Sequence, residues 1–456
     1  MGNLVSTLVN ASNALGVYGK VFDTIQNNIT NANTPGYVEQ DQALVSQSFD
    51  PEAGESGGVA AAGLISSRSE YLEQQVRNQQ QLLGASQQQA TDLNQVQTLF
   101  DPTATDGISG NLSSFFNSFS QLSVNPNDPV ERQAVINAAG QVAESFNTTA
   151  NGIAQVSTNI DNETNGNVAT INQIAEQLAA FNQQYLNSSQ ASQDAGLDAQ
   201  VHSALENLSQ VANFTALKMP NGTWNVYLGG QTPLVLSNQQ FTVSADMSAP
   251  NTVIRDSQGN DITSQITSGS LGALLGEKNT TLPGYMSSLN TLAQTFADSV
   301  NNALNQGIDQ NGNAPTQDLF TYNAAQGAAF SMAVTPITPD QIAAALPSGP
   351  GGNGNAIAIA QLATQPVVNG FTFTQAYGNL SGQIGSDVSN AQQEQTADQN
   401  LLTQAQTQRT NQTGVSLDAE AAKLLQFQQS YQAVGKLVGV INSLTDTLMA
   451  MMPATS

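Results

Sequence analysis

The chain is predicted to be mainly α with an inserted β segment, its N- and C-terminal helices pairing as a coiled coil. Three observations carry that reading. At the front, Leu4, Leu8, Ala11, Leu15, Tyr18, Phe22, Ile25 and Ile29 form an apolar stripe in unbroken alternating steps of four and three. At the back, Leu424, Phe427, Tyr431, Val434, Val438, Ile441, Thr445, Leu448 and Met452 repeat that period. A seam so spaced wants another helix against it. Most of the intervening chain keeps a helical period, and one stretch near its middle alternates instead.

The elements follow in order. Residues 3–33 read as one amphipathic helix, about 45 Å long at 1.5 Å per residue. Asn27, Asn28, Asn31, Ala32, Asn33, Thr34, Pro35, Gly36 and Tyr37 end it, because Pro35 forces the residue before it out of the helical region and Gly36 permits a turn. Residues 38–66 are Gly-rich and partly alternating, which predicts extended segments or long loops. Helix returns over 69–100 with a looser seam, three of whose positions are polar, and again over 109–123 with Phe115, Phe116, Phe119 and Leu122 on one side. Asp128 and Pro129 are a suitable N-cap and first helical residue for a very long helix over 129–188. One extra step of four near Ile160 is a stutter, which locally unwinds a supercoil. A further helix covers 197–212.

Residues 213–267 change period. Phe214, Ala216 and Lys218 alternate, Pro220-Asn221-Gly222 signals a hairpin turn, and Trp224, Val226 and Leu228 follow. The helical period resumes over 270–306. Residues 307–354 are predicted as turns with short strands at 319–322 and 328–334. Helices over 370–411 and 416–451 complete the chain.

Composition excludes several function classes. The 456 residues contain no cysteine, so disulfides, thiolate metal sites and cysteine nucleophiles are absent. With 34 acidic and 10 basic residues the net charge is −24, which disfavours a nucleic-acid track or attraction to anionic lipid. Charged residues are 10% of the chain, a polar surface that lets many copies pack side by side. No secretory signal and no membrane-spanning run are expected.

Candidate chemical sites are few. Gly349-Pro350-Gly351-Gly352-Asn353-Gly354 has dinucleotide-loop spacing but lacks the strand before it and the acidic residue after it, so it reads as a flexible loop. Asp309, Asn311 and Asn313 alternate as in a calcium loop without its glycine and closing glutamate, so they read as a polar turn. His202, the single histidine, is expected on a helix surface between Asp198 and Glu206. Trp224 reads as β-segment core, with carbohydrate stacking as the alternative. No catalytic residue, cofactor or metal ligand is assigned.

Several segments resemble one family. Asn27 through Tyr37, with Asn28, Asn31, Asn33, Thr34, Pro35, Gly36 and Tyr37, is similar to the N-terminal motif shared by flagellar rod, hook and junction proteins. Gly414-Val415-Ser416-Leu417 through Gln432-Ala433 resembles the C-terminal signature of the hook-associated protein at the hook–filament junction. Ser268 to Gly276, Phe296-Ala297-Asp298 with Asn302, and Asp194 to Leu236 are similar to its central regions. The resemblance implies layered, discontinuous domains: an inner one of terminal helices (1–45 and 413–456), a helical middle one (46–212 and 268–412) and a small β-rich outer one (213–267). It implies a non-enzymatic axial protein of the flagellum, exported unfolded through the flagellar type III channel to an extracellular position. Its partners would be further copies in a ring, hook protein on one side, the second junction protein or flagellin on the other, and an export chaperone.

Two departures stand out. About 55 residues look like outer β domain, so that face is reduced, and the chain runs past Leu448 through Met449 to Ser456. The assembly interface is expected at Leu4, Leu8, Leu15, Phe22, Ile25, Ile29, Leu424, Phe427, Tyr431, Val434, Val438, Ile441 and Leu448. Residues 1 to about 40 and about 415 to 456 are expected to be mobile in the isolated monomer, because their seams need partners. The alternatives are a hook or rod axial protein, or a secreted adhesin or enzyme carried on the β insert.

Overall fold

Helical periodicity dominates the sequence, and helices dominate the computed structural model, which describes residues 2–34, 36–50, 55–188, 191 and 194–451. Pro35, Met452 and the residues after it lie outside that description. The front stripe forms α1 (Gly2–Asn31). The Gly-rich segment after it is an antiparallel hairpin of β1 (Gln40–Asp50) and β2 (Glu55–Ser66), whose register shifts between Ala43 and Leu44. Then come α2 (Glu70–Gln97), α3 (Ile108–Val124) and α4 (Pro129–Asn187). Asp128 caps α4 as expected, its Oδ1 accepting from Val130 N at 2.8 Å. Asp194 does the same for α5 (Ala195–Val211), accepting from Gly196 N at 2.8 Å and Leu197 N at 3.1 Å.

The alternating segment gives β3 (Phe214–Lys218), β4 (Trp224–Leu228), β5 (Thr232–Leu236) and β6 (Gln239–Gln240), a four-stranded antiparallel sheet in sequence order. A separate ribbon pairs β7 (Ser244–Asp246) with β8 (Val253–Arg255). Next, α6 (Gly269–Gly276) runs through a π-turn at Glu277–Thr281 into α7 (Leu282–Leu304). Where one helix over 270–306 was expected, the chain has two joined by this wider turn. Strands β9 (Phe320–Thr321) and β10 (Ala333–Val334) pair with each other. The expected strand over 328–334 is mostly helical turn instead, α8 (Ala328–Ser331). It buries Ala328 and Ala329, and two small residues pack closely in a helical turn. The glycine-rich loop leads into α9 (Gly354–Gln361), and α10 (Phe373–Thr413) and α11 (Leu417–Met451) follow.

Two compact units result. One comprises Met1–Leu82, Thr170–Thr242 and Asp398–Ser456, and the other Leu83–Ala169 and Val243–Ala397. The segment 213–267 thus divides after Thr242: the four-stranded sheet belongs to the first unit and the ribbon to the second. In the first unit, α5 buries Leu197, Val201, Leu205 and Leu208, and the sheet buries Trp224, Val226, Leu228, Leu234 and Val235. Burial of each such side chain contributes about 1.5–3 kcal/mol. Asn182 anchors the sheet. Its Oδ1 accepts from Trp224 N at 2.8 Å, and its Nδ2 donates to Trp224 O at 2.7 Å and also to Ser237 O.

The second unit is built on aromatic packing. Phe115, Phe116, Phe119, Phe296, Phe320 and Phe373 are buried together, with Phe115–Phe296 and Phe296–Phe320 centroids 5.2 Å apart and edge-on. Edge-on aromatic pairs add about 0.5–1.5 kcal/mol beyond area burial.

Candidate assembly interface and its clasp

The front and back stripes meet. Tyr18 packs on Phe427 and Phe22 on Tyr431, each with ring centroids 5.9 Å apart. Along this contact Ala11, Ile25 and Ile441 are buried. Leu4, Leu8, Leu15, Phe22, Leu424, Phe427, Val434 and Val438 are partly buried, and Ile29, Tyr431 and Leu448 are exposed. A second apolar row on α11 is exposed as well: Leu437, Val440, Leu444 and Met451, joined on α1 by Val5 and Val9.

Sequence reading gave α1 one apolar face, and the structure gives it two. Besides α11, the helix packs on the β1–β2 hairpin. Asn10, Ala14, Val17, Val21 and Asn28 share a face about 100° from the Phe22 side, by the 3.6-residue turn. Val17, Val21 and Asn28 on it are buried, and Gly58 of β2 backs onto Asn10. The steps between these residues are a legible signal, hidden by the stronger stripe beside them.

The family-like turn after α1 is a hydrogen-bond network. Asn28 is fully buried; its Nδ2 donates to Gln40 O at 2.8 Å and its Oδ1 accepts from Gln40 N at 3.1 Å. A side-chain amide reproduces both groups of a peptide, so Asn28 pairs with the first residue of β1 as a strand would. Tyr37 Oη donates to the same Oδ1 at 2.9 Å. Asn31 donates to Asn27 Oδ1 at 2.8 Å, and Thr34 donates to Asn31 Oδ1 at 3.1 Å. Burial, followed by the Glu420 charge, pushes the Tyr37 hydroxyl up to about 12. Asn33 is exposed. Gly36 has φ 76°, and a Cβ there would lie 2.7 Å from Ala199 O, so both conformation and space require glycine.

A lysine ties the two ends of the chain together at the base of this pair. Lys423 Nζ donates to Glu39 Oε1 at 2.6 Å, Asp41 Oδ1 at 2.7 Å and Glu420 Oε1 at 3.1 Å. Burial opposes the ammonium charge, but the hydrogen bonds it donates to Asp41, Glu39 and Glu420 outweigh it and hold the pKa above the usual lysine range. Beside it, Glu39 N donates to Thr413 O at 2.9 Å. Gly414 ends α10, and a Cβ on it would meet Thr410 O at 2.5 Å. Leu417, the first residue of α11, is exposed.

An arginine-centred network extends the clasp. Arg68 donates to Gly36 O at 2.6 Å, Asp198 Oδ2 at 2.6 Å and Glu73 Oε1 at 2.5 Å. Arg409 donates to Glu73 Oε2 at 3.0 Å and Glu206 Oε2 at 2.9 Å, and Arg77 pairs with Glu70. Those that span the chain, Arg68 to Gly36 and Asp198, and Arg409 to Glu73 and Glu206, left no local trace in the sequence.

One expectation and one alternative are corrected here. His202 is 2% exposed, inside rather than on the helix surface, and Glu206 serves Arg409 instead. Its ring meets Trp224 edge-on at 5.2 Å, and Arg77 Nη1 lies 3.4 Å from Nδ1. Arginine is donor only, so Nδ1 accepts and Nε2 carries the proton, 3.8 Å from Asp198 and 3.9 Å from Glu70. Burial, then Arg68, Arg77, Lys218 and Arg409, push this imidazole well below its ordinary value. Trp224 is buried, which removes carbohydrate stacking on its face.

Among the described residues no group of three or more His, Cys, Asp or Glu is placed to hold a metal ion, and no helix is long and apolar enough to cross a membrane. At 309–313, Asp309 Oδ1 accepts from Asn311 N and Asn313 N, both at 2.8 Å, which is a polar turn closed on itself.

Two chain ends paired along apolar stripes, with a further apolar row exposed and no metal-binding cluster among the described residues, mark a structural protein of paired terminal helices. A family model described as the helical domain of the flagellar hook-associated protein FlgK matches residues 93–320, half of the chain. The chain belongs to this family of hook–filament junction proteins of the bacterial flagellum. Flagellar hook-associated protein 1 of Bacillus subtilis is 26% identical, with 97% of each chain covered. The Salmonella typhimurium protein of that name is 23% identical, covering 98% of this chain and 100% of the relative. In structure, the flagellar hook junction protein FlgK from Burkholderia pseudomallei superposes with a TM-score of 0.67 at 17% identity, over 74% of this chain and 99% of that one.

Proposed function

We propose that this chain is a subunit of a ring at the distal end of the flagellar hook, and that α1 and α11 are the surface through which copies join. The observation that carries the reading is the exposed apolar row on α11 (Leu437, Val440, Leu444) beside the row already used within the chain. Apolar faces of that extent on a helix call for partners. Hook protein would lie on one side of the ring and the second junction protein or flagellin on the other, with an export chaperone covering the chain beforehand. The layered division follows from the same reading: 1–45 with 413–456 inside, 46–212 with 268–412 around them, and 213–267 outward. The subunit carries no catalysis and needs no cofactor. It works outside the cell, having left through the flagellar channel, and the parts of its terminal helices beyond the Asn28 and Lys423 contacts order fully on joining the ring.

The test is electron microscopy of a deletion strain. Bare hooks with flagellin lost to the medium, and filaments restored by the intact gene, are expected. Normal filaments on the deletion strain would refute the reading.

A further inference from the structure

The π-turn between α6 and α7 aims three successive residues in three different directions. Lys278 Nζ reaches α4, donating to Asp161 Oδ2 at 2.6 Å and Ser157 Oγ at 2.8 Å. Asn279 pairs with the backbone of Thr252, at 2.8 Å to its N and 2.9 Å to its O. Glu277 points inward and is 2% exposed. A π-turn inserts one residue into a helix and so redirects its neighbours. All of these groups lie in the second unit.

The surroundings of Glu277 are anionic. Asp92 of α2, itself 2% exposed, and Glu163 of α4 face it. Gln88 Nε2 donates to Asp92 Oδ2 at 2.9 Å and to Glu163 Oε2 at 2.6 Å, which joins those two carboxylates and leaves Glu277 without an amide. Lys278 is committed to Asp161. From α7, Tyr285 spends its hydroxyl on Asp387 of α10 at 2.6 Å. Among the described residues no N–H or O–H reaches either Glu277 oxygen. Two buried carboxylates side by side cannot both stay ionised, whereas one proton turns the contact into a hydrogen bond.

We propose that Glu277 and Asp92 share a single proton and form a proton-dependent latch that holds the π-turn against α2. The proton rests on Glu277 and is donated to Asp92. Hydroxide removes it as water, and the two carboxylates left behind repel. Burial first, then the hydrogen bond to Asp92 and the charges of Asp92 and Glu163, push the Glu277 carboxyl up to about 11. Its folded value therefore lies above the unfolded one, so unfolding releases a proton throughout the interval between them. Stability from the latch is complete in acid and falls as pH rises through that interval. One proton released makes the unfolding constant rise about tenfold per pH unit.

The experiment is denaturant unfolding of the full chain between about pH 7 and 9, a window clear of histidine and below tyrosine. The intact protein is expected to lose about tenfold in folding equilibrium per unit, and Glu277→Gln, whose amide donates to Asp92 without titrating, to lose none. Infrared spectra at pH 7 are expected to show a protonated-carboxyl band in the intact protein that disappears in Glu277→Gln. An equal pH slope in both proteins, or no such band in the intact protein, overturns the proposal. So does stabilisation by calcium or magnesium that removes the band, which would make the cluster a cation site. If Glu277→Gln fails to fold, the band and its change of frequency in Asp92→Asn, where the Glu277 proton stays but its carboxylate acceptor is gone, decide; an unchanged band there overturns the proposal.

Discussion

Tyr37 and Asn28 are joined by a 2.9 Å hydrogen bond onto the same Asn28 oxygen that receives the Gln40 amide. One buried side chain thereby fixes the exit of α1, the turn and the start of β1 together. Asn28→Ala orphans the N–H and C=O of Gln40, at about 1–3 kcal/mol for each buried group left unpaired. Asn28→Asp keeps the acceptor but sets a charge against Gln40 O. Both are expected to lower stability by several kcal/mol in chemical denaturation, and Tyr37→Phe by about 1 kcal/mol. An Asn28→Ala protein as stable as its parent would contradict the role given to this amide.

Lys423 holds three carboxylates. Lys423→Met keeps the stem and removes the charge, leaving Glu420 buried without a cation. Protease cutting near Gly414, where α10 meets α11, is expected to accelerate at least several-fold. Because the ammonium pKa is raised, the clasp's contribution is complete below the ordinary lysine value of about 10.4 and is lost only as pH climbs through the folded one. Cutting rates therefore should not change with lysine titration near neutrality. A parent and variant cut equally fast would remove the clasp from the account.

His202 gives an opposite dependence on acid. Its folded pKa lies below the unfolded one, so the unfolded chain takes up a proton first. Its contribution is full above about pH 6.5 and declines as pH falls below that value. His202→Gln, which keeps an acceptor for Arg77 and cannot titrate in this range, should flatten the stability profile between about pH 6.5 and 5. Parallel profiles for variant and parent would show that His202 does not set it.

Phe22→Asp and Val438→Asp each place an unpaired carboxylate in the contact between the terminal helices, at several kcal/mol when neighbours enclose it. Circular dichroism should show folded helical units in both, while filament attachment fails. Normal swimming by both variants would refute an assembly role for this seam.

The helices were legible in sequence because each long one carries a periodic apolar stripe, and the hairpin after β3 because Pro220-Asn221-Gly222 has few other uses. That the terminal helices pair followed from two seams that each lacked a partner, whereas the register that sets Tyr18 on Phe427 did not. What stayed hidden depended on contacts between distant residues. Nothing near Arg68 announces that Gly36, Glu73 and Asp198 converge on it, and nothing near His202 reveals that a sheet will cover it. The second face of α1 escaped because Val17 and Val21 answer to a hairpin whose own pattern is weak. The π-turn escaped because one inserted residue scarcely disturbs a period of 3.6.

Eight of the chain's ten cations (Arg68, Arg77, Arg132, Lys218, Arg255, Lys278, Arg409 and Lys423) are already bonded within it, to carboxylates or, for Arg132, to backbone carbonyls such as Ile342 O at 2.7 Å. In the proposed ring, adjoining copies would therefore have little positive charge to offer one another, and each would bring an excess of carboxylates. Adhesion between them has to come from apolar shape, with mutual repulsion as its opponent. Added salt screens that repulsion over a Debye length of about 10 Å at 0.1 M, so brine should tighten a joint of this kind where it would loosen one sewn together by ion pairs.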